Sequence, residues 1–211
     1  MAPRIRRLSP LMGGTVDVML DVRVPADGQL AWPMARDEFV RWHEHADLPY
    51  KVEWYDGLCI VTSPVRRHSL AVSELFRVLL GAVGTEMTVM AEAAWTTALG
   101  FFIPDLLVCH EDAPGDPYLT GTPLLVVEVL SPSTRRVDLA VKREHYAAAG
   151  LEWYWVVDPD APSLTVFAVG PRGQLEPVQT IGPGQTATTV GPFAVAVTPE
   201  RLVRRGASPT G

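Results

Sequence analysis

Hydrophobic and polar positions change their period several times along the chain, and each change marks an element. In "RHSLAVSELFRVLLGAVG" the apolar residues Leu70, Val72, Leu75, Phe76, Leu79, Leu80 and Val83 recur at helical spacing, which predicts a helix ending at Gly84. A second helix is predicted over "TRRVDLAVKREHYAAAG", with Val137, Val141 and Ala148 on one side, Ser133 or Thr134 as cap and Gly150 as stop. "MARDEFVRWHEHA" reads as a short amphipathic helix with Met34, Phe39, Val40 and Trp42 apolar, and with Asp37 and Glu38 in its first turns. Elsewhere the period falls to two. "YKVEWYDGLCIVTSP" alternates about Asp56-Gly57 as a hairpin does, and "SLTVFAVGPRGQLEPVQTI" predicts another around Gly170 to Gly173. Strand-like runs cover Met87 to Trp95, Phe101 to Cys109, the "LLVVEVL" stretch from Leu124 and "EWYWVVDPDAP"; "PFAVAVTPERLV" adds a last strand and a short helical tail.

Helices interleaved with strands imply an α/β fold: a mixed central β-sheet flanked by helices, with a further hairpin region toward the C-terminus. The strand, helix, strand unit from Leu124 to Val157 is predicted to be a right-handed parallel crossover. With 211 residues and 47% hydrophobic content the chain can bury one sizeable core, so a single domain is expected over 31–203, after an N-terminal arm over 1–30 and before a disordered tail over 204–211. No apolar run reaches the roughly 20 residues that span a bilayer, and "MAPRIRRLSP" lacks the apolar segment of a signal peptide, so a soluble cytoplasmic protein with no membrane partner is expected. Cys59 and Cys109 stand singly in strand-like runs, which argues against a disulfide framework or a zinc site.

The net charge of −6 argues against bulk coating of nucleic acid but leaves room for a local basic groove. Arginines cluster at Arg66-Arg67, at Arg135-Arg136 with Arg143, and at Arg204-Arg205; such runs face water or line a groove. Of the 18 basic residues only Lys51 and Lys142 are lysine, leaving 16 arginines. In a chain so biased, a lysine at 142 hints that a compact ammonium is needed there rather than a planar fork.

Two acids interrupt apolar strands. Glu128 sits among Val126, Val127, Val129 and Leu130, and Asp105 among Phe102, Ile103, Leu106 and Leu107. A carboxylate in such a run needs an edge position or a partner that offsets its desolvation. If the two strands are neighbours, the acids converge, and their repulsion has to be relieved by a proton, a basic side chain or a metal ion. Pro104 cannot donate to a ladder, so an edge or bulge is expected beside Asp105. Asp105, Glu128 and a strand carbonyl match what a hard divalent cation such as Mg²⁺ takes; each acid alone is equally well met by an arginine or a backbone amide. Asp138, Lys142 and Tyr146 follow at spacings of four as one polar row, either aimed at the acids or an ordinary surface ion pair.

The set "PD" at Pro104-Asp105, "EVLSPST" at Glu128 to Thr134, the row Asp138, Lys142, Tyr146 and "YWVVDP" at Tyr154 to Pro159 resembles the restriction endonuclease family of the Uma type, within the PD-(D/E)XK nuclease superfamily. "VEWYDGLCIVTSPVRRHSLAVSEL" adds to it with Glu53, Asp56-Gly57, Ser63-Pro64 and His68, so that the resemblance spans about Tyr50 to Val169. It implies a restriction-endonuclease-like core and a metal-dependent endonuclease acting on DNA, as a homodimer. Asp105, Glu128 and the carbonyl of Val129 would hold Mg²⁺ or Mn²⁺, and Glu53 and His68 would complete the rim. The lysine that the superfamily places two residues after the acid is Leu130 here. Lys142, on the following helix, is the residue that matches in its place. Tyr146 is expected to pack with a polar tip, Trp153, Tyr154 and Trp155 to be core aromatics, and Asp158 to be a turn acid.

Two other readings fit the residues. A non-catalytic nucleic-acid or partner-binding module would keep the fold without binding metal, and a two-carboxylate glycosidase would need a sugar cleft.

Overall fold

The structure, a computed structural model, describes residues 30–46, 51–62, 66–132, 134–188 and 190–203. The arm expected before Leu30, the tail over 204–211, the Ser63-Pro64 motif and the Ser133 cap lie outside the described residues.

The chain is α/β, but its strands divide into two sheets where one was expected. Strand β1 (Leu30–Pro33) leads into helix α1 (Arg36–His43), hairpin β2 (Lys51–Tyr55) and β3 (Leu58–Thr62), and helix α2 (Arg66–Leu80). Then come β4 (Met87–Ala91), β5 (Trp95–Thr96), β6 (Gly100–Phe102), β7 (Leu106–His110) and β8 (Leu125–Val129). Helix α3 follows, π-helical over Val137–Lys142 and α-helical over Arg143–Ala148; then β9 (Trp153–Asp158), β10 (Ser163–Val169), β11 (Leu175–Ile181) and the one-turn helix α4 (Pro199–Leu202). One sheet has the order β1-β3-β2-β6-β5, the other β11-β10-β9-β8-β7-β4.

The two strand-like runs expected over Met87 to Trp95 and Phe101 to Cys109 are each broken in the middle, and the halves go to different sheets. Glu92 breaks the first with a left-handed φ of 52°. Pro104 breaks the second, so it marks the crossing between sheets rather than a bulge within one.

Both predicted hairpins are present. The β2–β3 turn has φ 52° at Asp56 and 76° at Gly57, the paired positive values of a type I′ turn, and β10 pairs antiparallel with β11 across a turn ending at Gly173. β8 and β9 pair in parallel, as the Leu124 to Val157 crossover requires, while the other pairs of the six-stranded sheet are antiparallel.

Alternate residues of the central strands feed two cores. Leu106, Val108, Leu125 and Val127 pack with Leu75 and Leu79 of α2; Leu107, Val126 and Val156 face Tyr146 of α3 together with Tyr55 and Phe102 of the second sheet. A third cluster sets Phe39 of α1 against Val52, Cys59 and Phe101. Each fully buried leucine or valine contributes on the order of 1.5–3 kcal/mol, so an acid in these strands displaces that much and must be compensated. Helix α2 stops at Leu80, about a turn earlier than its stripe predicts, where Gly81 follows; Leu80 faces solvent, and the buried face is His68, Ala71, Leu75 and Leu79. In α3 the buried face is the polar row Asp138, Lys142 and Tyr146, with Val137 and Val141 half-buried beside it and Ala148 exposed. Gly150, at φ 86°, ends α3 as expected.

Candidate active site

Among the described residues the buried polar and charged side chains are Glu53, His68, Asp105, Glu128, Ser131, Asp138 and Lys142. All but Glu53 line one small cavity, together with Lys51, Thr62, Val129 and Thr134, and Glu53 is tied to it through Lys142.

Register brings the acids together. β7 and β8 pair antiparallel with Leu106 opposite Val127, so one step beyond the ladder Asp105 lies opposite Glu128. The Asp105 carboxylate is held from three sides. Its Oδ2 accepts from His68 Nε2 at 2.8 Å and from the Val129 N–H at 2.8 Å, while its Oδ1 meets Lys51 Nζ at 2.5 Å. Burial works to raise its pKa, but Lys51 and His68 outweigh this and hold it below the ordinary carboxylate range. His68 reaches it because it lies on the buried face in the first turn of α2.

Glu128 Oε1 accepts from Lys142 Nζ at 2.9 Å and from the Tyr146 hydroxyl at 2.8 Å. Lys142 Nζ also stands 2.9 Å from Glu53 Oε2 and 3.5 Å from Asp138 Oδ1. Asp138 and Lys142 are thus a buried ion pair, not a surface one. The wide turns of the π-helical stretch carry both side chains inward; such stretches are frequent at functional sites. Glu53 anchors the sheet crossing too, its Oε1 accepting from the Ile103 N–H at 2.8 Å. Burial pushes Glu128 up to about 8 and Asp138 up to about 6, against the pull of Lys142. For Lys142 burial acts to lower the pKa, but Glu128 and Glu53 prevail and raise it well above the lysine range.

Ser131 and the expected Thr134 together form the capping turn ahead of α3. The Ser131 Oγ accepts from the Thr134 N–H at 3.3 Å while the Thr134 hydroxyl accepts from the Ser131 N–H at 3.2 Å, a reciprocal capping box.

The five predicted site residues therefore stand together, with Glu53 and His68 in the buried centre rather than on a rim. Val129 faces Asp105 through its N–H. Sequence reasoning missed Lys51 as a site residue and took Tyr146 mainly as packing. Tyr146 does both, its ring against Trp95, Phe102 and Tyr154 and its hydroxyl on Glu128. The signal for Lys51 was the lysine count, since both lysines of the chain belong to this site. Tyr154 and Trp155 are core aromatics and Asp158 is the expected turn acid, its Oδ1 accepting from the N–H groups of Asp160 and Ala161.

One arginine of each of two pairs reaches the same turn: Arg67 of α2 meets Asp160 at 3.2 Å, and Arg135, just before α3, meets Asp158 at 2.6 Å. Both pairs are largely exposed on the arginine side.

The profile of the Uma2 family, described as "Putative restriction endonuclease", matches residues 36–198. The chain belongs to that family. The fold agrees with a crystal structure from Anabaena variabilis, described as a putative nuclease belonging to DUF820: TM-score 0.64 and 21% identity over 81% of this chain and 98% of that one. At that identity the likeness carries the fold alone. No curated protein matches the chain. The Uma2 match takes in all of the cavity-lining residues and both lysines. Among the described residues no helix is long and apolar enough to cross a membrane.

Proposed function

We propose that the chain is a metal-dependent endonuclease that hydrolyses phosphodiester bonds of DNA, with Asp105 and Glu128 holding Mg²⁺ or Mn²⁺. The observation that carries this reading is a charge imbalance. Four carboxylates (Glu53, Asp105, Glu128, Asp138) and two ammonium groups (Lys51, Lys142) share one buried cluster; burial inclines Glu128 and Asp138 to hold protons, and a divalent cation would supply the two positive charges that those protons supply without it. The donor set fits such an ion: all oxygen, few carboxylates, and a cavity of about 20 Å³, room for one ion or water. Among the described residues no three His, Cys, Asp or Glu side chains form a ready-made cage, so the fit is to a cation that keeps several of its waters.

Asp105 and Glu128 would hold the cation with the Val129 carbonyl, and when bound it would supply Lewis-acid polarisation of a phosphate and a water of lowered pKa. The chain's own groups set up that chemistry. His68 and the Val129 N–H fix Asp105 by one oxygen, and Tyr146 and Lys142 fix Glu128. Lys142 keeps three buried acids from repelling one another. The homodimer and the cytoplasmic location expected from the sequence belong to the same proposal.

A second reading has its own support: Asp105 is already satisfied by Lys51, His68 and Val129, as in a binding module that retains the fold without metal. Calorimetric titration with Mn²⁺ separates the two. One Mn²⁺ bound by the wild type and none by Asp105→Asn supports the nuclease; no uptake by either supports the module.

A further inference from the structure

We infer that Lys51, and not Lys142, is the lysine that meets the scissile phosphate, an inference that rests on the nuclease reading above. The two lysines differ in how firmly they are held. Lys142 has a side chain 4% exposed, with three carboxylates within 3.5 Å of its Nζ. Swinging it toward a substrate would strand Glu53, Glu128 and Asp138 in a desolvated place, and an uncompensated buried charge is among the costliest states a protein can adopt. Lys142 is a fixed counter-charge.

Lys51 has the opposite surroundings. It is the first residue of β2, its side chain is 11% exposed, it lines the cavity, and among the described residues its ion pair is with Asp105 alone. That pair uses Asp105 Oδ1, whereas His68 and the Val129 N–H both bind Oδ2. Asp105 therefore keeps its position when Lys51 leaves, and Oδ1 is the oxygen that can change partner. A divalent cation held by Asp105 would repel the ammonium, and the long, freely rotating lysine stem would let Lys51 move outward to a non-bridging phosphate oxygen. An arginine, with its broad planar fork, does not fit a space of about 20 Å³, which accounts for a lysine here in a chain that otherwise uses arginine. The lysine absent two residues after Glu128 is thus replaced from β2, on the other side of Asp105, while α3 supplies the structural one.

The test compares Lys51→Met with Lys142→Met for thermal melting, for Mn²⁺ affinity by calorimetry and for cleavage of supercoiled plasmid at saturating Mn²⁺. Lys51→Met is expected to lose less melting temperature than Lys142→Met, because His68 and the Val129 N–H still hold Asp105, to bind Mn²⁺ at least as tightly because Asp105 Oδ1 has lost a competing cation, and to cleave about 100-fold more slowly or worse, as loss of one charge-stabilising donor does. Lys142→Met is expected to melt earlier. Should Lys51→Met melt early instead, Lys51→Gln keeps a polar hydrogen-bond donor toward Asp105 without the charge and carries the same comparison. Cleavage near the wild-type rate by a folded, Mn²⁺-bound Lys51 variant overturns the inference and leaves the nuclease standing. A defect cured by more Mn²⁺ also overturns it, since Lys51 would then act only on the metal. Absence of cleavage by the wild type itself removes the nuclease reading, and the inference with it.

Discussion

Glu53 and Glu128, on strands of two different sheets, share one ammonium: Lys142 Nζ lies 2.9 Å from an oxygen of each. The buried ion pairs are therefore a joint between the sheets as well as a site. Removing one partner of such a pair leaves a buried charge, so Lys142→Met is expected to cost about 3–5 kcal/mol. Urea denaturation reads this directly; a loss under about 1 kcal/mol, the range of exposed pairs, would contradict the joint. Adding Glu128→Gln to Lys142→Met should recover part of the loss, since neighbours in one network are not additive.

Protonation gives a second prediction. Burial raises Glu128 from 4.5 to about 8 and Asp138 from 3.8 to about 6, so the folded state prefers their neutral forms. Their contribution is complete below the unfolded values and is lost as pH rises through about 6 and then about 8. Asp105, lowered, has the opposite sign and destabilises only on acidification below its unfolded value. In EDTA the melting temperature should fall from pH 5 toward pH 8, and added Mn²⁺ should raise it more at pH 8 than at pH 6, because proton and metal compete for Glu128. Melting scans across that range check both; a flat EDTA profile would count against the charge imbalance.

Tyr146→Phe removes one donor and nothing else of the ring packing. Glu128 then loses a hydrogen bond of 2.8 Å, worth roughly 1.5–3 kcal/mol to a charged acceptor. The cost should be largest above about pH 8, where Glu128 is ionised, and shrink below it, and denaturation of the variant on either side of that pH measures the difference.

How legible was this in the sequence? Asp105 and Glu128 were legible because an acid in a both-faces-buried strand is a local conflict that one sequence shows by itself. The β2–β3 turn was legible for a similar reason, Asp-Gly being nearly the only pair that accepts two positive φ values without strain. The division into two sheets was not. Nothing in a strand-like run states which sheet it joins, and Pro104, which marks the crossing, reads equally well as a bulge. The orientation of α3 was hidden as well: its valines suggested the buried side, but a helix can bury a polar row when another element supplies the countercharges, and Glu53 lies far away in sequence. Lys51 was missed because its partner, Asp105, is 54 positions distant.

The exposed arginines provide a test of substrate class. Arg67 and Arg135 converge on the Asp158–Ala161 turn beside the cavity, and surface pairs of this kind exchange readily for phosphate. Replacing both by alanine should weaken binding of a DNA duplex in EDTA and reduce the slope of log affinity against log salt by about 2. Fluorescence anisotropy over a salt series measures it, and an unchanged slope would place the DNA elsewhere.

The most direct measurement is cleavage itself: wild type and Glu128→Gln incubated with supercoiled plasmid in Mg²⁺, Mn²⁺ or EDTA. The account predicts nicking or linearisation by the wild type in either metal, none in EDTA, and a loss of at least about 100-fold in the variant. Cleavage that persists in EDTA, or in a folded Glu128→Gln at the wild-type rate, would contradict it.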